Sequence, residues 1–269
     1  MIHPTAVIHP RAEVPLDAEI GPYCVIDEGV RLGPNCWLGP SVHLTGQTEI
    51  GPNNRFHAGC VIGDAPQDLK YQALPTRVRI GAGNTFREHV TIHRSNKLEE
   101  DTVIGSNNYL MAASHVGHNS VLGDNVILAN AALVAGHVTI QDRAFISATA
   151  MIHQFVRVGA MALMQGGSGV SKDLPPFTIA MANNTICGLN IIGLRRAGVS
   201  PAHRLELKRA YRLLFRSGLR MKDAIVAARV ECASPFSEQL ISFVETSKRG
   251  VCADIRGAGT QDDPDEDAS

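Results

Sequence analysis

Stepping six residues at a time from Ile2, the chain gives Ile8, Val14, Ile20, Ile26, Leu32, Leu38, Leu44, Ile50, Phe56 and Ile62, and every one of these positions is apolar. The same phase resumes at Ile80 and runs through Phe86, Ile92, Leu98, Ile104, Leu110, Val116, Leu122, Leu128, Val134, Ile140, Ile146, Ile152, Val158, Met164 and Val170. Because about half of an ordinary chain is apolar, so long an unbroken series does not arise by accident. It predicts a stack of short repeats, each placing one side chain in a continuous core. Glycine often follows the aliphatic residue, as at Gly21, Gly33, Gly51, Gly105, Gly123 and Gly159. This predicts tight turns with unusual backbone angles there.

The pattern resembles the hexapeptide-repeat family. That resemblance implies a left-handed parallel β-helix of triangular section, with about 18 residues and three hexapeptides per coil. Between Ile62 and Ile80 lies what would be one whole coil, but "GDAPQDLKYQALPTRV" breaks the phase, with Asp68 at an aliphatic position. An excursion from the coil is therefore expected near residues 64 to 78. Long loops on rigid scaffolds often carry sites.

After Val170 the pattern stops, and a Pro pair in "SKDLPPFTIAMANNT" interrupts regular structure. Ser200-Pro201 reads as an N-cap followed by the first helical residue. Leu207, Tyr211, Leu214 and Gly218 follow helical spacing, and further helices are expected over 221 to 231 and 236 to 248. The expected organisation is a β-helical domain over 1 to 190, a helical domain over 191 to 255, and an acidic, disordered tail over 256 to 269.

The 269 residues carry a net charge of -1, which gives no bulk attraction to nucleic acid. No apolar run reaches the roughly 18 residues of a membrane-spanning helix. Six cysteines form no C-x-x-C pair and nothing resembles a signal peptide, so a reducing cytoplasm is the expected location. Locally the balance shifts: from Arg195 to Lys222 nine basic residues face one acid, Glu206. An acidic partner suits such a face, and an ordinary solvated helix face is the alternative.

With 18 residues per coil, positions of equal remainder stack about 4.8 Å apart. His118, His137 and His153 then fall on one corner over three successive coils, and His115 shares the coil of His118. Two chemistries fit, a zinc site at subunit boundaries and general-base catalysis by one histidine. Three coils span about 10 Å, too far for one ion within a single chain.

The fragments "QDLKY" (67 to 71), "TIHR" (91 to 94), "HVGH" (115 to 118), "LAN" (128 to 130), "AGHV" (135 to 138), "HQF" (153 to 155) and "GLRRAG" (193 to 198) occur in an order similar to that of the UDP-N-acetylglucosamine O-acyltransferases. These enzymes catalyse the first acyl transfer of lipid A biosynthesis. The likeness spans residues 1 to about 250. It implies a homotrimer with sites between subunits, moving a 3-hydroxyacyl chain from acyl carrier protein to the 3-hydroxyl of UDP-N-acetylglucosamine, without metal or organic cofactor. His118 matches the catalytic base, and by the same resemblance Gly136 would supply the N–H for the oxyanion. Gln67, Asp68, Lys70, His93, His115, His137, His153 and Gln154 would contact substrate, and Asn190, Arg195 and Arg196 would lie near the phosphates. Gly166 matches the position that limits acyl length, and a glycine there implies a longer chain.

The likeness has departures. The family places aspartate after the catalytic histidine, whereas this chain has Asn119, which accepts an imidazole N–H but carries no charge. Ile192 and Ala197 replace an acid and an arginine near the nucleotide, so a 3-amino analogue of the sugar stays open. The competing readings are a binding protein that keeps the cleft without the chemistry, and a γ-type carbonic anhydrase-like zinc enzyme.

Overall fold

The computed structural model describes residues 1–256. Most strands are two residues long and pair in parallel with the equivalent strand of the next coil, as Val7–Ile8 does with Val25–Ile26 and Ile127–Leu128 with Phe145–Ile146. Three sheets of nine, seven and eleven strands result, and the chain visits them in turn. The expected disordered tail, apart from Arg256, lies outside the described residues.

The hexapeptide explains this geometry. Its aliphatic residue points inward, and Ile26, Leu38, Leu44, Ile62, Leu110 and Val134 are all buried. Two positions earlier sits a second buried register of mostly small residues, among them Ala18, Cys24, Val30, Cys36, Ala132 and Ala144. Where this register carries asparagine it forms a ladder: Asn54 Oδ1 accepts from the Asn84 backbone, and Asn84 Oδ1 from that of Asn108. Phe56 and Phe86 stack in the core with centroids 4.6 Å apart.

The turns differ from expectation in one respect. In most corners a left-handed residue lies three places after the aliphatic, as in Asn35, Asn53, Asn107, Asn119 and Asn125. Asparagine tolerates that conformation well. Gly21, Gly33, Gly51, Gly105, Gly123 and Gly159, directly after the aliphatic, have no such angle and are needed for another reason. A Cβ on Gly33 would stand 2.5 Å from the backbone carbon of Gly51, and one on Gly159 2.2 Å from the backbone of Pro176. They are small because stacked coils nearly touch there.

The 62-to-80 gap is also not one whole coil. Ile104 pairs with Leu122, eighteen residues on, but Ile50 pairs with Ile80, thirty on, and Ile80 with Ile104, twenty-four on. Two insertions are therefore present. The first leaves after the strand Val61–Asp64 and returns at Arg77–Ile80, carrying twelve extra residues. The second, six residues longer than a regular corner, runs between Thr91–His93 and Asp101–Ile104. Leu98, counted above as a core position, belongs to this second excursion and is 47% exposed. Both insertions are multiples of six, so Leu98 keeps the phase without being in the stack.

Beyond Val170, the strand Thr178–Met181 extends the third sheet and Thr185–Leu189 turns back antiparallel to it. Four helices follow: α1 (Ile191–Arg196), α2 (Pro201–Arg216), α3 (Met221–Glu231) and α4 (Pro235–Glu245). The Ser200 hydroxyl accepts from His203 N at 3.2 Å and caps α2, with Pro201 at its start. Helix α4 stops three residues before the expected 248. The chain then returns to the sheet, Ala253–Asp254 pairing with Thr185–Ile186. Tyr211 and Arg216 of α2 both donate to the buried Asp254 carboxylate, tying helix to strand. Among the described residues no helix is long and apolar enough to cross a membrane.

Candidate active site

One corner of the coils opens into a cleft of about 870 Å³, lined by Gln67, His93, His115, His118, Gly136, His153 and Gln154 together with Leu133, Met151 and Asn183. Seven of the residues singled out from sequence thus meet at one place. The strand ends Thr91–His93 and His115–Val116 bring in His93 and His115, and the following corner presents His118. Histidines 93 and 115 lie edge to face with centroids 5.0 Å apart, and Thr91 Oγ1 holds His115 Nδ1 at 2.8 Å. Burial, helped by the neighbouring imidazoles, pushes His115 down to about 4, and burial likewise lowers His93. Both are neutral at pH 7.

His118 is half-buried, and its Nδ1 meets Asn119 Oδ1 at 2.8 Å. Asn119 sits at the left-handed corner (φ 58°) and is 7% exposed. Its backbone N–H donates to Thr102 Oγ1 at 2.8 Å. With Nδ1 occupied, Nε2 is the nitrogen left to face the cleft. It lies against Gly136, one coil on, where a Cβ would come within 2.7 Å of it. Only a glycine leaves that approach open. The Gly136 N–H donates to no acceptor among the described residues.

His137 stands beside the cleft. Its ring crosses that of His118 at 5.1 Å and stacks on Phe155 at 4.6 Å, while burial lowers its pKa. Asp68 and Lys70 belong to the first excursion. The Asp68 carboxylate accepts from Lys70 N at 2.9 Å and from Asn96 Nδ2 at 3.1 Å, and these bonds hold it below the usual carboxylate range.

The remaining expected residues lie elsewhere. The Asn190 side chain caps α1 at Gly193 N and donates to Met161 O at 3.0 Å, so its polar atoms are committed to the fold. Gly166 is exposed on a corner outside the cleft lining, where a Cβ would meet only Ala148 O at 3.4 Å. Arg196 is exposed on α1. Arg195 lines a second cavity of about 430 Å³ with Arg204, Lys208, Arg212 and Arg216 over a floor of Leu189, Ile191 and Tyr211. Five of the nine basic residues read from the sequence thus converge. Glu206, the lone acid, instead accepts from Ser234 N at the start of α4.

Sequence reasoning missed the second excursion and with it Ser95, Asn96 and Glu100, which surround Asn119. The acidic run Glu99-Glu100-Asp101 was the available signal. Among the described residues no group of three or more His, Cys, Asp or Glu is placed to hold a metal ion.

Residues 29–64 and 101–136 match the bacterial transferase hexapeptide family, and residues 173–252 match the second domain of UDP-N-acetylglucosamine O-acyltransferase. The stacked repeats and the histidine-lined cleft are those of a hexapeptide-repeat transferase. An acyl-[acyl-carrier-protein]--UDP-N-acetylglucosamine O-acyltransferase of Thermodesulfovibrio yellowstonii is 45% identical over 93% of this chain and 98% of its own length. Solved UDP-N-acetylglucosamine acyltransferases are similar throughout. That of Bacteroides fragilis is 39% identical with a TM-score of 0.90, covering 93% of this chain and 99% of that one. The Acinetobacter baumannii enzyme is 38% identical with the same TM-score, covering 93% and 98%. The chain belongs to the UDP-N-acetylglucosamine O-acyltransferase family.

Proposed function

We propose that this protein transfers a 3-hydroxyacyl chain from acyl carrier protein to the 3-hydroxyl of UDP-N-acetylglucosamine, the first step of lipid A biosynthesis, with His118 as general base. The observation that carries the role of His118 is its geometry: Nδ1 is held by Asn119, and Nε2 faces the cleft beside Gly136. A sugar hydroxyl is a poor nucleophile at neutral pH. Its proton passes to Nε2 as the oxygen forms a bond to the thioester carbonyl carbon. The carbonyl oxygen becomes an oxyanion, for which the Gly136 N–H is a free donor. Collapse of the tetrahedral intermediate breaks the C–S bond, and the departing thiolate takes the proton back from His118.

Gln67, His93, His115, His153 and Gln154 line the acceptor cleft, and His137, Asp68 and Lys70 flank it. The β-helix is left-handed over residues 1 to 190, and 191 to 255 form its helical extension. The protein is a homotrimer of the cytoplasm. Leu133 and Met151 in the cleft wall and Phe155 beside it are 44%, 50% and 54% exposed, an apolar margin suited to a neighbouring copy. The cationic cavity over α2 suits the acidic carrier protein, and Arg195 and Arg196, on helix α1, which Asn190 caps, suit a phosphate. The open space at Gly166 favours a long acyl chain.

Acyl transfer to UDP-N-acetylglucosamine from 3-hydroxyacyl carrier proteins of several lengths tests these points together. Turnover is expected to be highest with long donors and to fall by about 10² to 10⁴ in His118→Ala. Full turnover in that variant would remove His118 from the mechanism, and preference for short donors would overturn the role of Gly166.

A further inference from the structure

The imidazole of His118 rests on an amide, and an amide oxygen brings no negative charge to a ring that must become an imidazolium. The rest of Asn119 supplies what is missing. Its Nδ2 donates to Glu100 Oε2 at 2.8 Å and to Ser95 Oγ at 2.7 Å, while its Oδ1 also accepts from the backbone N–H of Asn96 at 3.0 Å. This pattern fixes which way the amide points. Turned over, it would set its NH₂ against the Asn96 N–H and its oxygen against the Glu100 carboxylate.

Glu100 is itself held in place. Its Oε1 accepts from Lys97 Nζ at 2.7 Å, and its Oε2 lies 3.7 Å from His137 Nδ1. The Lys97 ammonium keeps the carboxyl below its usual range, so it is charged at neutral pH. A line of hydrogen bonds therefore runs from a carboxylate, through an almost fully buried amide, to the imidazole. Hydrogen bonds in such a chain polarise one another.

We infer that Glu100 is a positioning residue for His118: through the Asn119 amide it holds the Nδ1–H tautomer and stabilises the imidazolium formed during transfer. Neither Glu100 nor Asn119 takes up a proton in the reaction. The inference deepens the reading of His118 as the base and rests on it.

Other charged and titratable groups face this corner. Asp68 comes from the first excursion and Lys97 from the second, His93 and His115 from the preceding strand ends, and His137 from the next coil. The three histidines are all lowered by burial and are neutral at pH 7. Asp64 acts on His93, and Asp68 interacts with the His118 ring through space, but Asp68 is bonded to Lys70 N and Asn96 rather than to Asn119. Glu100 is thus the carboxylate connected to the ring through the amide.

The test is the pH dependence of kcat/KM for acyl transfer in the native chain, Glu100→Gln, Asn119→Asp and the double variant, with His118→Ala alongside. Glu100→Gln keeps one oxygen to accept from Asn119 Nδ2 and removes the charge together with the oxygen that accepts from Lys97. It is expected to leave KM unchanged, to lower kcat by about tenfold, and to move the acid limb to lower pH, because the ring loses an anion that favours its protonation. Adding Asn119→Asp should restore both kcat and the limb. Asn119→Asp alone should bring no gain, since it presses two carboxylates together and one of them keeps a proton.

An acid limb unchanged in Glu100→Gln, or a double variant no better than Glu100→Gln, overturns the role of Glu100. If His118→Ala is inactive in the same assay, the base reading survives that outcome. An active His118→Ala removes both.

Discussion

The coils from Asp101 onward and those between Gln47 and Ile104 are built from the same hexapeptide, yet they do different things. In the later coils each aliphatic residue meets its equivalent eighteen residues away, as Val116 meets Val134 and Ile140 meets Val158. In the earlier ones the interior is just as regular, with Phe56 on Phe86 and Ile62 beside Ile92, but the outside carries two excursions. Those excursions supply Gln67, Asp68, Asn96 and Glu100, and the regular coils supply His118, Gly136 and His153. The core thus specifies the rigid frame, while the corners are free to leave and return provided they come back in phase. The two excursions are also pinned to each other through Asn96 and Asp68.

The largest effect that separates phase from packing compares two leucines twelve residues apart. Leu110→Ala empties a fully buried site and should cost about 2 to 5 kcal/mol. Leu98→Ala, on the exposed excursion, should stay within about 0.5 kcal/mol. Urea unfolding of both variants reads the difference directly, and equal costs would mean that Leu98 packs in the stack after all.

Two glycines sharpen the same contrast. Gly33→Ala pushes a Cβ onto the Gly51 backbone and should lose about 1 to 3 kcal/mol of stability with turnover intact. Gly136→Ala drives its Cβ toward His118 Nε2, the movable end of a side chain, and should lower kcat by about 10² or more. Its melting temperature should shift less than that of Gly33→Ala. Parallel melting curves and kcat values for the two variants check the assignment.

The smallest effect concerns pH. The folded protein holds His115 at about 4 against an ordinary 6.5, so at intermediate pH the unfolded chain binds a proton that the folded site refuses. Stability from this group is full above pH 6.5 and declines as the pH falls toward 4. His93 and His137 act in the same direction. Urea midpoints at pH 7 and pH 5 should therefore differ less in His115→Gln than in the native chain.

The stacked core was readable from sequence because one register of side chains is nearly invariant in character. The corner histidines were readable because the coils after Ile104 are regular, so their remainders translate into real neighbours. The second excursion was hidden for a physical reason: Leu98 happens to be apolar and in phase, and six extra residues leave a six-step unchanged. The reason for the glycines was misread because backbone angle and close approach select the same residue. The surroundings of Asn119 depend on where a polar loop folds back, which no hydrophobic period encodes.

The stacking has one more consequence. The regular coils pair strand by strand with the coil above and the coil below, so this part of the molecule resembles a column of coupled layers. At its far end Ile2 is half exposed, whereas Ile20 and Ile26 in the next layers are buried. The catalytic corner sits several layers inward, on the sheet that carries Thr91–His93 and His115–Val116. An opening that started at that end would have several coils to undo before it reached His118 and its neighbours.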